Sequence, residues 1–284
     1  MKVVTSARDM TAFSEAARAA GRRIGFVPTM GALHEGHLSL VACARDRSDE
    51  IVLSIYVNPL QFGPREDFAA YPRDLEADAA AARRAGVTAL FAPPDEEVHL
   101  DGSRTFVEVE GLQDALCGRR RPGHFRGVTT VVAKLFALVQ PHAAYFGEKD
   151  AQQLRIIRRM ARDLHMMLEI VGCPIVRAAD GLALSSRNAY LTEAERKAAP
   201  VLHRALRAAA ERAAAGETDA GRLVAQVREQ IAAEPLARID YVEAVDDETL
   251  ETVRVVKGRV LVAVAAHFGR ARLIDNVVVS GPGS

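Results

Sequence analysis

The stretch RIGFVPTMGALHEGHLSLVACARDR, residues 23–47, decides the fold. Arg23–Pro28 is a compact apolar run with the length and flanks of a buried strand, and His37–Arg47 carries helical periodicity. Between them lies Pro28-Thr29-Met30-Gly31-Ala32-Leu33-His34-Glu35-Gly36-His37. A strand that turns straight into a helix presents backbone N–H groups and the positive end of the helix dipole, the geometry in which a chain meets phosphate. Gly31 and Gly36 permit close backbone approach. His34 and His37, three residues apart, can lie on one face of the first turn and donate to phosphate oxygens. Such a pair can also ligate a metal, but no third ligand stands nearby.

The same rhythm extends outward. Lys2–Thr5, Glu50–Val57, Thr88–Ala92, Ala143–Phe146 and Met167–Val171 read as strands. Arg8–Ala20, Arg73–Ala85, Val128–Val139 and Asp150–Leu164 read as helices, with Gly21 and Gly86 placed to end the first two. Strands alternating with helices of this length predict βαβ units and a Rossmann-like parallel sheet flanked by helices. The strands lack in-out alternation, as expected of a sheet covered on both faces. Beyond about Pro174 the pattern changes to two long helices, Thr192–Ala215 and Asp219–Ala233, then strands at Arg238–Val245, Arg259–Ala266 and Ala271–Val279. Thr192 and Glu195 form a capping-box pattern. No room remains for crossover helices, so a helix pair beside a three-stranded antiparallel sheet is expected. The division is 1–175 for the Rossmann-like domain and 176–284 for a smaller, lid-like α+β domain.

Composition narrows the function class. Among 284 residues, Lys plus Arg and Asp plus Glu both total 37, so the formal net charge is zero, and no basic tail marks a nucleic-acid binder. Cys43, Cys117 and Cys173 are far apart and form no CxxC pair, which argues against a disulfide framework or structural zinc and for reduced thiols. No apolar run approaches the ~18 residues of a membrane span, and the N-terminus lacks the apolar core of a signal peptide. A cytoplasmic enzyme is expected.

Three further segments sit where ligands bind. Tyr145-Phe146-Gly147-Glu148-Lys149-Asp150 ends a strand, and Gln152 and Gln153 follow in the next helix. The carboxyl ends of strands in open α/β sheets are the usual ligand crevice, and a Lys there can neutralise a transferring phosphoryl group. Val57-Asn58-Pro59-Leu60-Gln61-Phe62-Gly63 is also at a strand end, and its Asn and Gln can read hydroxyls and a carboxylate without carrying charge. Gly181-Leu182-Ala183-Leu184-Ser185-Ser186-Arg187-Asn188 offers two hydroxyls and a guanidinium to a triphosphate tail. Read singly, the Glu-Lys-Asp turn is a solvated loop and Ser-Ser-Arg an ordinary turn. Together with the histidine turn, the balance moves to function.

His34-Glu35-Gly36-His37 resembles the His-x-Gly-His signature of the nucleotidyltransferase and class I aminoacyl-tRNA synthetase superfamily; no Walker A or dinucleotide GxGxxG pattern is present. PTMGALHEGHLSL, SIYVNPLQFG, YPRDLEAD, RPGHFRGV, YFGEKDAQQL and ADGLALSSRNAYL occur in order across roughly residues 24–191. Together they resemble the pantothenate synthetase (pantoate–β-alanine ligase) family.

The resemblance implies an ATP-dependent condensation of pantoate with β-alanine that releases AMP and pyrophosphate through a pantoyl adenylate. It implies His34, His37 and Lys149 as catalytic groups. It further implies an ATP site of Met30, His34, His37, Gly147, Lys149, Asp150, Val176, Ser185, Ser186 and Arg187, and a pantoate site of Asn58, Gln61 and Gln153. Mg²⁺ would accompany ATP, with Asp78 in its environment. A homodimer, no nucleic acid and no membrane complete the expectation. The mixed anhydride must be shielded from water, and Asn58–Tyr71, with Gly63 and Pro64, is the candidate closing element. Arg121 and His124 match a motif near the site, while Arg119–Arg121 reads equally as a solvated basic loop. A nucleotidyltransferase with a phosphate-bearing acceptor shares the turn but needs extra basic groups where Asn58, Gln61 and Gln153 stand; a tRNA-binding fragment lacks the charge.

Overall fold

The computed structural model describes residues 1–64, 66 and 68–281. Arg65 and Asp67, within the candidate closing element, and residues 282–284 lie outside the described residues. The chain forms two compact units.

The first unit comprises Met1–Gln113, Arg121–Glu148 and Gln153–Pro174. Among the described residues its six strands are β1 (Lys2–Val4), β2 (Ile24–Thr29), β3 (Glu50–Ile55), β4 (Ala89–Phe91), β5 (Ala143–Gly147) and β6 (Glu169–Cys173), in the order β1-β4-β3-β2-β5-β6. Every pairing is parallel. Helices α1 (Ala7–Ala19), α2 (Glu35–Arg45), α3 (Leu75–Ala85), a short α4 (Asp95–Val98), α6 (His124–Val139) and most of α7 (Ala151–Asp163) accompany it.

The apolar runs have no alternation because each face is covered. Val27, Ile51, Leu53 and Leu90 pack with Leu40 and Val41 of α2 and Ala82 of α3. From the opposite face of β2, Phe26 meets Phe136 of α6 edge-on, with ring centroids 6.2 Å apart. The order reverses at β2: β3 lies on one side and β5 on the other, the switch point at which open α/β sheets bind ligands. α6 approaches the 3₁₀ turn Pro59–Gln61 so closely that a Cβ on Gly127 would stand 2.3 Å from Leu60 O.

The second unit comprises Asp114–Arg120, Lys149–Gln152 and the chain from Ile175 on, so two short segments of the first half group with it. Its antiparallel sheet has the order β7 (Ala237–Asp246), β8 (Arg259–Phe268) and β9 (Ala271–Ser280). Helices α9 (Val201–Ala214) and α10 (Ala220–Ala232) bury Leu202, Leu206, Leu223 and Val227 against Val242, Val262, Val264 and Phe268. The single helix expected over Thr192–Ala215 is two: α8 (Glu193–Ala198) and α9, interrupted at Ala199–Pro200. Pro200 has no N–H and its ring obstructs a continuous helix, so the chain restarts there. The Thr192–Glu195 capping box is present at α8. The short α5 (Leu116–Arg120) also belongs to this unit.

The three cysteines are free thiols. Burial, then the Cys43 neighbour, push the Cys173 thiol up to about 12, so it stays protonated and inert.

Overpacking a backbone contact costs about 1–3 kcal/mol. Gly127→Ala is expected to lose that much stability, read from the urea midpoint by far-UV circular dichroism. An unchanged midpoint would contradict the close approach of α6 to Leu60.

Candidate functional site

In the first unit the site is built around the end of β2. The ladder stops at Thr29, and the next amides must find other partners. Thr29 Oγ1 donates to Ser54 O at 2.7 Å and accepts from Gly31 N at 3.2 Å. Asp78, 5% exposed, accepts from Ala32 N at 2.9 Å through Oδ2 and from Leu33 N at 2.7 Å through Oδ1. Gly31 has φ +82, and a Cβ there would stand 2.8 Å from Asp78 Oδ2, so the turn requires glycine on both counts.

The two histidines cap α2, which begins at Glu35, two residues ahead of its expected start. His34 is the N-cap residue: its Nδ1 accepts from Gly36 N at 3.1 Å, while its own N donates to His37 Nδ1 at 3.3 Å. Both Nδ1 atoms are therefore acceptors, which places each ring proton on Nε2. The rings lie 4.1 Å apart at a 36° tilt. Two imidazole Nε2–H donors thus sit together at the positive end of a helix, an arrangement suited to an anion.

Asp78, the residue expected in the Mg²⁺ environment, has both carboxylate oxygens on amides of the turn. Both oxygens brace the turn, and among the described residues no group of three or more His, Cys, Asp or Glu is arranged to hold a metal. Mg²⁺ characteristically keeps its waters and binds through one or two carboxylates and substrate phosphates. The residues at this turn fit an ion that arrives on a nucleotide, not one held in a protein cage.

Asn58, Gln61 and Met30 are linked in the same unit. Asn58 Nδ2 donates to Gln61 Oε1 at 3.1 Å, and Gln61 Nε2 donates to Met30 Sδ at 3.0 Å. The candidate closing element is tied down from Arg121 and His124, at and just before the start of α6. Arg121 donates to Glu66 through Nε at 2.7 Å and Nη2 at 2.5 Å. Its Nη1 donates to His124 Nε2 at 2.9 Å, so His124 Nδ1 carries the proton and donates to Gln61 O at 2.8 Å. Phe62 packs edge-on to Phe68 and Tyr71. Burial favours the neutral Glu66 carboxyl, but the hydrogen bonds and charge of Arg121 outweigh it and hold the group below its ordinary 4.5. Gly147 ends β5, β2's neighbour, and Gln153 lies in the first turn of α7, half-buried.

In the second unit, Lys149 and Asp150 end the 3₁₀ turn Glu148–Asp150, with Lys149 Nζ 3.6 Å from Asp150 Oδ2. Asn276 of β9 donates from Nδ2 to Lys149 O at 3.1 Å. Its neighbour Asp275, 3% exposed, holds Arg177 through contacts of 2.6 and 2.8 Å. Val176 O accepts from Leu184 N at 3.0 Å, closing the loop that leads to Ser185. Ser185 caps the 3₁₀ turn Ser186–Tyr190, its Oγ accepting from Arg187 N at 3.3 Å. Gln152 is structural, bonding Cys117 N and Ala115 O. The arginine cluster divides by unit: Arg119 pairs with Glu243 and Arg120 with Asp240, whereas Arg121 pairs with Glu66.

Sequence reading missed His99, which bonds Asn58, Lys134, which bonds His99, and Asp275 and Asn276, which bond the Arg177 and Lys149 segments. The adjacent Asp-Asn within the apolar strand LIDNVVV was an available signal for the last two.

Residues 2–278 match the family model described as pantoate-beta-alanine ligase. The pantothenate synthetase of Acetivibrio thermocellus is 55% identical over 98% of this chain and 99% of its own length. The crystal structure of pantothenate synthetase from Thermus thermophilus superposes with a TM-score of 0.92 at 50% identity, covering 98% of this chain and 99% of that one. The pantoate-beta-alanine ligase of Francisella tularensis, crystallised with a β,γ ATP compound and β-alanine, has a TM-score of 0.79 at 31% identity, with 98% and 97% covered.

Two outcomes follow from the first unit. A hydrogen bond to a charged group contributes about 1.5–3 kcal/mol, so Asp78→Ala, which orphans two amides, is expected to lose about 2–4 kcal/mol and Asp78→Asn about half of that. Urea unfolding measures both, and a neutral Asp78→Ala would remove the brace. Because Glu66 is held below its ordinary pKa, the Arg121 clasp stabilises the fold above pH 4.5 and is lost as pH falls through the folded value. The stability difference between the native protein and Glu66→Gln should therefore be present at pH 7 and vanish on acidification below 4.5; a pH-independent difference would refute the clasp.

Proposed function

The chain belongs to the pantoate–β-alanine ligase family, and from that membership we propose that it joins pantoate to β-alanine with ATP through a pantoyl adenylate. The pantoate carboxylate attacks the α-phosphorus of ATP and pyrophosphate leaves. The β-alanine amine then attacks the acyl carbon, and AMP leaves as the amide forms and the nitrogen gives up a proton. A carboxylate alone is a poor acyl donor because it would have to expel oxide; adenylation substitutes AMP, a good leaving group.

The observation that carries this reading is the pair of Nε2–H donors at the start of α2, held by backbone amides on their Nδ1 sides. Donors fixed before the substrate arrives need no reorganisation when charge develops on the departing pyrophosphate. By the family resemblance, His34 and His37 of the first unit, and Lys149, Ser185, Ser186 and Arg187 of the second, each have the role of a phosphate ligand. Met30, Gly147, Asp150 and Val176 line the nucleotide, and Asn58, Gln61 and Gln153 hold pantoate. Mg²⁺ supplies charge neutralisation on the phosphates when ATP is bound. Both attacking groups belong to substrates, so no covalent protein nucleophile is needed and catalysis is positioning plus electrostatics. Asn58–Tyr71 shields the mixed anhydride from water. The free thiols accord with a reducing, cytoplasmic setting. The homodimer rests on the family resemblance.

The deciding assay follows AMP release from MgATP and pantoate, with and without β-alanine, together with the product mass. AMP release that requires both acids and yields the mass of pantothenate supports the reading. Pyrophosphate release without AMP, on another acceptor, would indicate a nucleotidyltransferase. Losing one preorganised donor to developing charge costs about 10²–10³ in rate. His37→Ala and Lys149→Ala should each fold and lose single-turnover adenylate formation by that factor, and near-native adenylation would remove the residue from the mechanism.

A further inference from the structure

A directed series of polar side chains in the first unit runs from α6 to the turn after β2. Lys134 Nζ donates to Val98 O at 2.8 Å and contacts His99 Nδ1 at 3.2 Å. An ammonium can only donate, so His99 Nδ1 is the acceptor and the ring proton stands on Nε2. That nitrogen lies 3.0 Å from Asn58 Oδ1 and donates to it.

Asn58 is 1% exposed and completely engaged. Its Oδ1 also accepts from Leu60 N at 3.3 Å, and its Nδ2 donates to Gly127 O and to Gln61 Oε1, both at 3.1 Å. The oxygen of Gln61 is thereby committed as an acceptor, and its nitrogen, which already donates to Met30 Sδ, carries one further N–H. Every bond from Lys134 to Met30 points the same way, because the group at the head of the series has no lone pair.

We infer that His99, held in one tautomer by Lys134, is a positioning residue that fixes Gln61, through Asn58, as a hydrogen-bond donor to an oxygen of the bound hydroxy acid. The inference rests on the reading of Gln61 as a pantoate residue. The surroundings of the ring agree with the role. Burial, then the charge of Lys134, hold the His99 imidazole below its ordinary 6.5 against a weaker opposite pull from Asp95. The neutral ring can accept from Lys134. Tyr56, hydrogen-bonded to Asp95, flanks the imidazole with ring centroids 5.9 Å apart.

The test measures kcat and the KM values for pantoate and ATP in the full-length chain. His99→Phe keeps a ring but neither nitrogen. It should raise pantoate KM about tenfold, the equivalent of one well-made hydrogen bond, while ATP KM and kcat stay within about twofold. His99→Gln, which offers a donor and an acceptor, should recover most of the loss, and Lys134→Met should show a smaller rise; these two carry the test if His99→Phe does not fold. In a Gln61→Ala background, itself raised in pantoate KM, adding His99→Phe should have no further effect, because the two act as a unit. A pantoate KM unchanged by His99→Phe, or an undiminished second rise in the Gln61→Ala background, overturns the inference and leaves the functional reading standing. A pantoate KM unchanged by Gln61→Ala itself overturns both.

Discussion

Where β2 ends, four consecutive amides, Gly31 to His34, are satisfied by side chains and not by backbone. Thr29, Asp78 and His37 supply the acceptors, and His34 in turn accepts from Gly36. Buried backbone donors must be paired, and a parallel strand that stops inside a covered sheet leaves several in need at once. The solution determines much of the first unit. It requires Asp78 of α3 to face the turn, excludes a side chain from Gly31, and fixes both imidazoles with Nδ1 as the acceptor. The structural requirement and the proposed chemistry use the same two side chains at different atoms: Nδ1 of each histidine serves the backbone, and Nε2–H is the donor proposed for the phosphate.

A comparable economy governs Asn58 and Gln61. An amide side chain is nearly symmetric in shape but not in chemistry, so its usefulness depends on which end faces the ligand. Asn58 is fixed by four partners, among them a backbone carbonyl and a backbone amide, and passes its orientation to Gln61. The close approach of Gly127 to Leu60 brings that carbonyl within reach. Packing of α6 therefore reaches the polar chemistry directly, through backbone atoms.

Legibility in the sequence followed the range of the forces involved. The unalternating apolar strands, the helical periods and the strand-to-helix turn are local patterns, and the parallel sheet was readable from them. The capping box at Thr192 was equally plain. The break at Pro200 was legible in principle but submerged in an Ala-rich helical run. The bracing role of Asp78 was not legible, because a carboxylate carries no mark of its partner, and here two of its partners are amides 45 and 46 residues away. The arginines at 119–121 looked like one basic loop and are divided among Glu243, Asp240 and Glu66, more than 50 residues distant.

By itself, then, the sequence determined the covered parallel sheet, the helix pair with its antiparallel sheet, and the residue types gathered at the strand ends, because hydrophobic period and turn chemistry act between near neighbours in the chain. Tertiary structure alone decided which nitrogen of each histidine carries the proton, which way the Gln61 amide is turned, and that His99, Lys134 and Asn276 bond to the segments around Asn58 and Lys149. Those choices are made by hydrogen bonds between residues 35 to 127 positions apart or by the backbone of a turn, and a hydrogen-bond partner has no signature in the sequence until the fold brings it within about 3 Å.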